Sequence, residues 1–229
     1  MKLSNPFRVL TRFELILWAV SFTVVALSFL LVPEKDFLTL AASLIGVTAL
    51  IFVAKGLVIG QVLCVVFAVF YGIISFYFRY YGEMITYLGM SAPIAIASVI
   101  SWVRHPYEKS KEVEVSVLSR RKVGFLLLLA VAVTAAFYFI LGALNTESLI
   151  FSTLSVATSF LASGLTFLRS PYYAVAYAAN DVVLIVLWVI ATVANVAYLP
   201  MIFCFIMFLC NDLYGFYNWR RMQKRQSAS

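Results

Sequence analysis

Apolar residues in this chain do not alternate with polar ones. They come in eight long runs, near residues 15–32, 37–54, 57–78, 84–103, 123–144, 148–168, 172–194 and 198–219. Turn formers and charges separate the runs, as in Pro33-Glu34-Lys35-Asp36, Lys55-Gly56, Arg79 to Glu83, Asn145-Thr146-Glu147 and Arg169-Ser170-Pro171. Each run has roughly the 18–20 residues that a helix rising about 1.5 Å per residue needs to cross a hydrocarbon core of about 30 Å. Inside lipid every backbone N–H and C=O must pair within its own segment. The runs are therefore predicted as helices in spite of their many Val, Ile and Phe residues. The same lack of alternation argues against a transmembrane barrel.

Composition sharpens this picture. Of 229 residues, 64% are apolar and 12% charged, against about 45–50% apolar in soluble domains. A soluble globular enzyme, a disordered chain and a coiled coil are excluded. The net charge of +7 is informative through its placement. With eight spans, fifteen of the seventeen Lys and Arg residues fall on one side: Lys2, Arg8, Arg12, Lys55, six in the 104–122 loop, Arg169, and Arg220, Arg221, Lys224 and Arg225 in the tail. Only Lys35 and Arg79 fall on the other. Seven or nine spans would spoil this asymmetry. The positive-inside rule then makes the basic side cytoplasmic and puts both termini inside. The basic balance is a topology signal with some affinity for anionic lipid, and no nucleic-acid partner is expected.

Cys64, Cys204 and Cys210 lie within apolar runs and are expected to be packing residues. His105 is the single histidine, which excludes a histidine metal cluster or a Ser-His-Asp triad. No cleavable signal peptide, cofactor or metal site is expected.

The second half of the chain echoes the first. At an offset of 114, Thr39-Leu40 falls on Thr153-Leu154 and Lys55 on Arg169. At 117, Tyr81, Met84, Ile85, Met90, Trp102 and Arg104 fall on Tyr198, Met201, Ile202, Met207, Trp219 and Arg221. The predicted architecture is an all-α polytopic membrane protein with two parallel three-helix repeats, 37–104 and 147–219. A cytoplasmic loop (105–122) and a linker helix (123–146) join them. An extra N-terminal helix lies within 1–36, and 220–229 forms a basic tail. Transporters built from such repeats hold their substrate between them near the midplane.

Few groups in the spans can do chemistry. Asp181 lies about ten residues beyond Pro171, roughly mid-membrane, and Asp212 nearer the cytoplasmic third, so the two acids read as well separated. Buried ionisable groups of this kind usually face a cavity or a partner. Asp181 belongs to a stripe, Tyr173, Tyr177, Asn180/Asp181, Leu184 and Trp188, on one face of the seventh helix. Such a face suits a flat heterocycle stacked on rings, with a hydroxyl or amide bound by Asn180 or Asp181. It equally suits rings packed between helices. Asn211, Asp212 and Tyr214 on the last helix, Gln61 on the third and Tyr87 on the fourth complete the candidate substrate-binding set. Asn211 and Asp212 serve equally as glue between helices. Trp102 and Trp219, beside arginines, read as interfacial anchors. Gly56-x-x-x-Gly60 starts at a helix end and is a weak dimerisation motif.

The closing segment Asn211-Asp212-Leu213-Tyr214-Gly215-Phe216-Tyr217-Asn218-Trp219 resembles the PnuC-type vitamin transporters, whose repeats commonly end in N-x-Y-G-x-x-x-W. Here Asp212 stands in the asparagine position. Tyr81-Gly82-Glu83 is similar to the family's YGD-type segment, and the resemblance covers about residues 37–219. The nicotinamide riboside branch carries W-x-x-W-x-x-x-N on the helix matching the seventh. Aligned on Asp181, this chain reads Ala174-x-x-Tyr177-x-x-x-Asp181. The stacking role would pass to Tyr177, alone or with Trp188, or the substrate would differ.

The resemblance implies a bacterial inner-membrane protein with a SWEET-like 3+1+3 fold, a homotrimer, and no enzyme activity of its own. It implies facilitated uptake of a nucleoside-type vitamin, nicotinamide riboside by default, with trapping by a cytoplasmic kinase. Thiamine or a deoxynucleoside would suit the same site logic. A substrate-binding subunit of an ATP-driven importer is the alternative of another class, but such subunits usually have six spans. An intramembrane enzyme would need a catalytic cluster that the residues do not supply.

Overall fold

The computed structural model describes residues 6–33, 36–77, 81–108, 110–146 and 148–228. Lys2, Glu34, Lys35, Arg79, Lys109 and Glu147, which entered the charge count or the span boundaries, lie outside them. Among the described residues the fold is eight long helices. They are α1 (Arg12–Ser28), α2 (Phe37–Ala54), α3 (Val58–Tyr77), α4 (Tyr81–Arg104), α5 (Arg120–Ala143), α6 (Leu149–Phe167), α7 (Tyr173–Ala194) and α8 (Leu199–Gln226). Six of them, α2 and α4 to α8, are long and apolar enough to cross a membrane. The 17-residue α1 and the apolar stretch Val58–Ile73 of α3 are shorter.

Caps, rather than hydropathy, decide where these helices start and stop. Helix α1 begins ahead of its apolar run because Thr11 and Glu14 form a capping box: the Thr11 N–H donates to Glu14 Oε2 (2.6 Å) and the Glu14 N–H to Thr11 Oγ1 (3.3 Å). It stops at Ser28, so Leu30 to Val32 are apolar but not helical. Helix α8 runs seven residues past the predicted end at Trp219, into the basic tail. In α4 the turn Thr86–Ser91 is a π-helix. It ends two residues before Pro93, whose ring would collide with a carbonyl one turn back, and widening the turn relieves that clash.

Helix α2 packs on α3 and α8, α3 on α4, α4 on α6, α6 on α7 and α7 on α8. Helix α1 lies against α2 and α8, and α5 lies chiefly against α6. Close approach needs small residues. A Cβ at Gly60 would sit 2.5 Å from the backbone nitrogen of Val53, so α3 can meet α2 this closely only with glycine there.

The α2–α3 and α6–α7 turns are built alike. Gly56 (φ 70°) and Arg169 (φ 57°) both adopt the left-handed conformation. Gly56 N–H bonds Val53 C=O (2.9 Å) and Leu57 N–H bonds Phe52 C=O (3.0 Å); Arg169 N–H bonds Thr166 C=O (3.0 Å) and Ser170 N–H bonds Leu165 C=O (3.0 Å). The structural partner of Arg169 is therefore Gly56, one residue away from the expected Lys55.

The stretch from His105 to Ser119 is a strap across both turns. Val113 N–H donates to Gly56 C=O (2.9 Å) and Ser116 N–H to Arg169 C=O (2.9 Å). Gln226 of α8 grips the strap: Val115 N–H donates to its Oε1 (2.7 Å) and its Nε2 to Val113 C=O (3.1 Å). Arg225 pairs with Glu112.

Candidate functional site

Between the α2–α4 half and the α6–α8 half lies a cavity of about 120 Å³. Six of the ten predicted site residues line it: Gln61 from α3, Tyr87 from α4, Tyr177, Asn180 and Asp181 from α7, and Asp212 from α8. Helix periodicity explains the α7 contribution, because 177, 180, 181 and 184 share one face and all four line the cavity.

Neighbours orient each polar group. Asn180 Oδ1 accepts from Ser155 Oγ (3.1 Å) and Thr158 Oγ1 (2.8 Å), so its amide N–H pair is what it has left to offer a ligand. The Tyr177 hydroxyl is hydrogen-bonded to Ser163 Oγ at 3.0 Å, which holds the ring in place along the wall. The Tyr87 ring lies 4.6 Å from Tyr71 and 5.9 Å from Phe67.

The two buried acids are not separate. Asp181 and Asp212 come from neighbouring helices, line the same cavity and are each 3% exposed. Asp181 Oδ2 is buried and has no hydrogen-bond partner among the described residues.

The other four predicted residues sit elsewhere. Trp188 lines a second cavity, of about 280 Å³, with Asp36, Thr39, Tyr71, Ser75 and Glu83 at the opposite end of the helices from the strap. Its Nε1 is buried with no hydrogen-bond partner among the described residues. Tyr173 packs on Trp219, ring centres 4.9 Å apart. Asn211 Nδ2 donates to Ser21 Oγ of α1 (2.9 Å) and to Met207 C=O (2.7 Å). The Tyr214 hydroxyl donates to Glu14 Oε1 (2.7 Å), which also takes Lys55 Nζ at 3.2 Å. Trp102 and Trp219 are buried between helices rather than placed as interfacial anchors.

Sequence reasoning missed the lining residues Ser159, Ser163 and Thr166 on α6, and Phe205 and Phe208 on α8. Both sets had a signal. The α6 residues recur at i, i+4, i+7, a small polar stripe in an apolar run, and Phe205, Phe208 and Asp212 recur at i, i+3, i+7. Among the described residues, no three His, Cys, Asp or Glu side chains come together to hold a metal.

Comparison with known proteins agrees with this architecture. The family profile described as "Nicotinamide mononucleotide transporter" matches residues 36–221. A protein of Neisseria mucosa (strain ATCC 25996 / DSM 4631 / NCTC 10774 / M26) named "Nicotinamide riboside transporter PnuC" is 27% identical over 226 residues, covering 95% of this chain and 84% of that protein. The solved structure titled "Crystal structure of the Vitamin B3 transporter PnuC" superposes with a TM-score of 0.79 at 24% identity, over 95% of this chain and 94% of that one, and so shares the fold. With a profile spanning all three helices of each half and the central cavity, the chain belongs to the nicotinamide mononucleotide transporter family, multi-pass membrane proteins that carry a solute and are not enzymes.

Proposed function

We propose that this protein mediates facilitated uptake of a nucleoside-type vitamin, nicotinamide riboside by default, and that a cytoplasmic kinase retains the product by phosphorylating it. The observation that carries the reading is the central cavity, in which a tyrosine ring, an amide with free donors and carboxyl groups converge on a space flanked by apolar side chains. A flat heterocycle needs a ring face, and its sugar needs a few fixed polar partners. The name of the Neisseria relative supports the same substrate. Ala174 and Tyr177 depart from the two-tryptophan pattern of the nicotinamide riboside branch, which keeps thiamine and deoxynucleosides as second readings.

The repeat reading goes with this function. Residues 37–104 and 147–219 act as two parallel units of a SWEET-like 3+1+3 fold, joined by the strap and by α5 as the linker helix, which begins at Arg120, three residues before the expected 123. Residues 1–36 add a helix and 220–229 a basic tail. The like-built turns at Gly56 and Arg169 support it. The strap end carries the basic residues and is read as cytoplasmic, in a bacterial inner membrane. Helix α5 presents Phe125, Leu128, Val131 and Phe139 outward, apolar surface that suits lipid or the neighbouring subunits of a homotrimer.

The purified chain in liposomes, without ATP or any partner, should equilibrate labelled nicotinamide riboside across the membrane. With a riboside kinase and ATP sealed inside, label should accumulate. Uptake only in the presence of an added ATPase would convert the reading to a subunit of an ATP-driven importer.

A further inference from the structure

We propose that the cavity at the end of the bundle away from the strap is a second binding site for the transported solute, one that takes an aromatic ring carrying a hydrogen-bond acceptor such as a carboxamide oxygen. The inference rests on the reading of the central cavity as a solute site and adds a second molecule per chain.

This outer cavity is about 280 Å³, larger than the central one and close to the lower bound of about 300 Å³ for small-molecule sites. The ends of six helices build it. Phe29 and Asp36 flank the α1–α2 connection, Ser75 and Glu83 the α3–α4 connection, and Asn195 and Tyr198 the α7–α8 connection. The same helices carry both cavities, about one turn apart. On α7 Leu184 lines the central cavity and Trp188 the outer one, on α8 Phe205 and Met201, on α4 Tyr87 and Glu83, and on α3 Phe67 and Tyr71. The two spaces therefore lie in line along the bundle. Tyr71 and Tyr87, ring centres 4.6 Å apart, stand between them.

The chemistry of the wall names the ligand class. Trp188 is 9% exposed, and its Nε1 has no hydrogen-bond partner among the described residues. An indole nitrogen can only donate, and a buried donor without an acceptor is costly. Asn195 Oδ1 accepts from the Ala197 N–H (2.9 Å), which leaves its Nδ2 as the group with which it can meet a ligand. Asp36 is engaged in starting α2, where its Oδ1 accepts from the N–H groups of Leu38 (3.0 Å) and Thr39 (3.2 Å). Glu83 supplies carboxyl oxygens for the hydroxyl groups of a sugar. Ring faces come from Trp188 and Tyr198, centres 5.4 Å apart, and from Tyr71. Aromatic surface with donors to spend is answered by a flat ring bearing a carbonyl oxygen.

Equilibrium binding of labelled nicotinamide riboside to the purified chain, carried to saturation, tests this. Wild type should bind two molecules per chain. Trp188→Phe keeps a ring and removes the N–H, so it should weaken one site about three- to tenfold and leave the other within about twofold. Tyr177→Ala should do the reverse. A single molecule per chain in wild type, readable whether or not any variant folds, overturns the proposal. So do two sites of which Trp188→Phe weakens neither. Where Trp188→Phe does not fold, Asn195→Ala, at an exposed position, takes its place with the same expectation and the same overturning result. A single site that Tyr177→Ala weakens removes the outer site and leaves the central reading. Two sites, one weakened by Trp188→Phe and neither by Tyr177→Ala, remove the central reading and keep the outer site. Binding of no riboside removes both.

Discussion

Trp102 and Trp219 meet at the strap end of the bundle, ring centres 5.3 Å apart, and each donates its indole N–H to the opposite half of the chain. Trp102 bonds the carbonyl of Thr166 at 3.0 Å, and Trp219 that of Val53 at 2.9 Å. Val53 and Thr166 each lie three residues before the left-handed residue of their turn, Gly56 or Arg169. The two bonds are thus counterparts, each half fastening its last helix to the first helix of the other.

Equivalent contacts should carry equivalent weight. Trp102→Phe and Trp219→Phe each remove the side-chain hydrogen bond to a buried carbonyl that keeps its backbone donor from the turn, at a cost of about 0.5–1.5 kcal/mol. Thermal unfolding in detergent should show similar losses of Tm for both. A large loss for one and none for the other would show that the two halves are not held together reciprocally.

Tyr214 separates a structural role from a binding one. Its hydroxyl donates to the buried carboxylate of Glu14, as does Lys55. Tyr214→Phe removes one hydrogen bond to a charged group and should lower stability by about 1.5–3 kcal/mol. Ligand affinity should stay within experimental error, because Tyr214 does not line the cavity. A large loss of affinity with unchanged Tm would return Tyr214 to the site.

The α7 stripe makes a graded prediction. Tyr177→Phe keeps the ring and gives up only the Ser163 bond, so binding should weaken by about 1.5 kcal/mol at most. Tyr177→Ala removes the ring and should cost more, and Asp181→Ala should be worst because a donor of the ligand is left unpaired. Tyr177→Ala and Asp181→Ala binding as wild type does would take α7 out of the site.

Topology can be checked from the surface. Ser110 of the strap and Ser227 of the tail are exposed and belong to the basic end. Single cysteines at these positions, in a background without Cys64, Cys204 and Cys210, should react only after the membrane is opened. Labelling of either in intact cells would invert the assignment of sides.

The sequence by itself determined the eight long helices seen among the described residues and nearly where they lie, because a hydrocarbon environment leaves an apolar run little choice but to pair its backbone internally. It also determined the basic end and the polar face of α7, since charge asymmetry and helical periodicity survive without tertiary contacts. Only the tertiary structure decided which polar groups share the cavity. Asp181 and Asp212 are 31 positions apart on different helices, and the rotation that brings them together comes from packing along the whole of α7 and α8. Asn211 neighbours Asp212 in sequence, yet it turns to Ser21 of α1 while Asp212 turns inward. Hydropathy could not foresee this, because lipid and a neighbouring helix satisfy an apolar face equally well. The partner of a polar residue is then settled by which surfaces fit closely enough to touch.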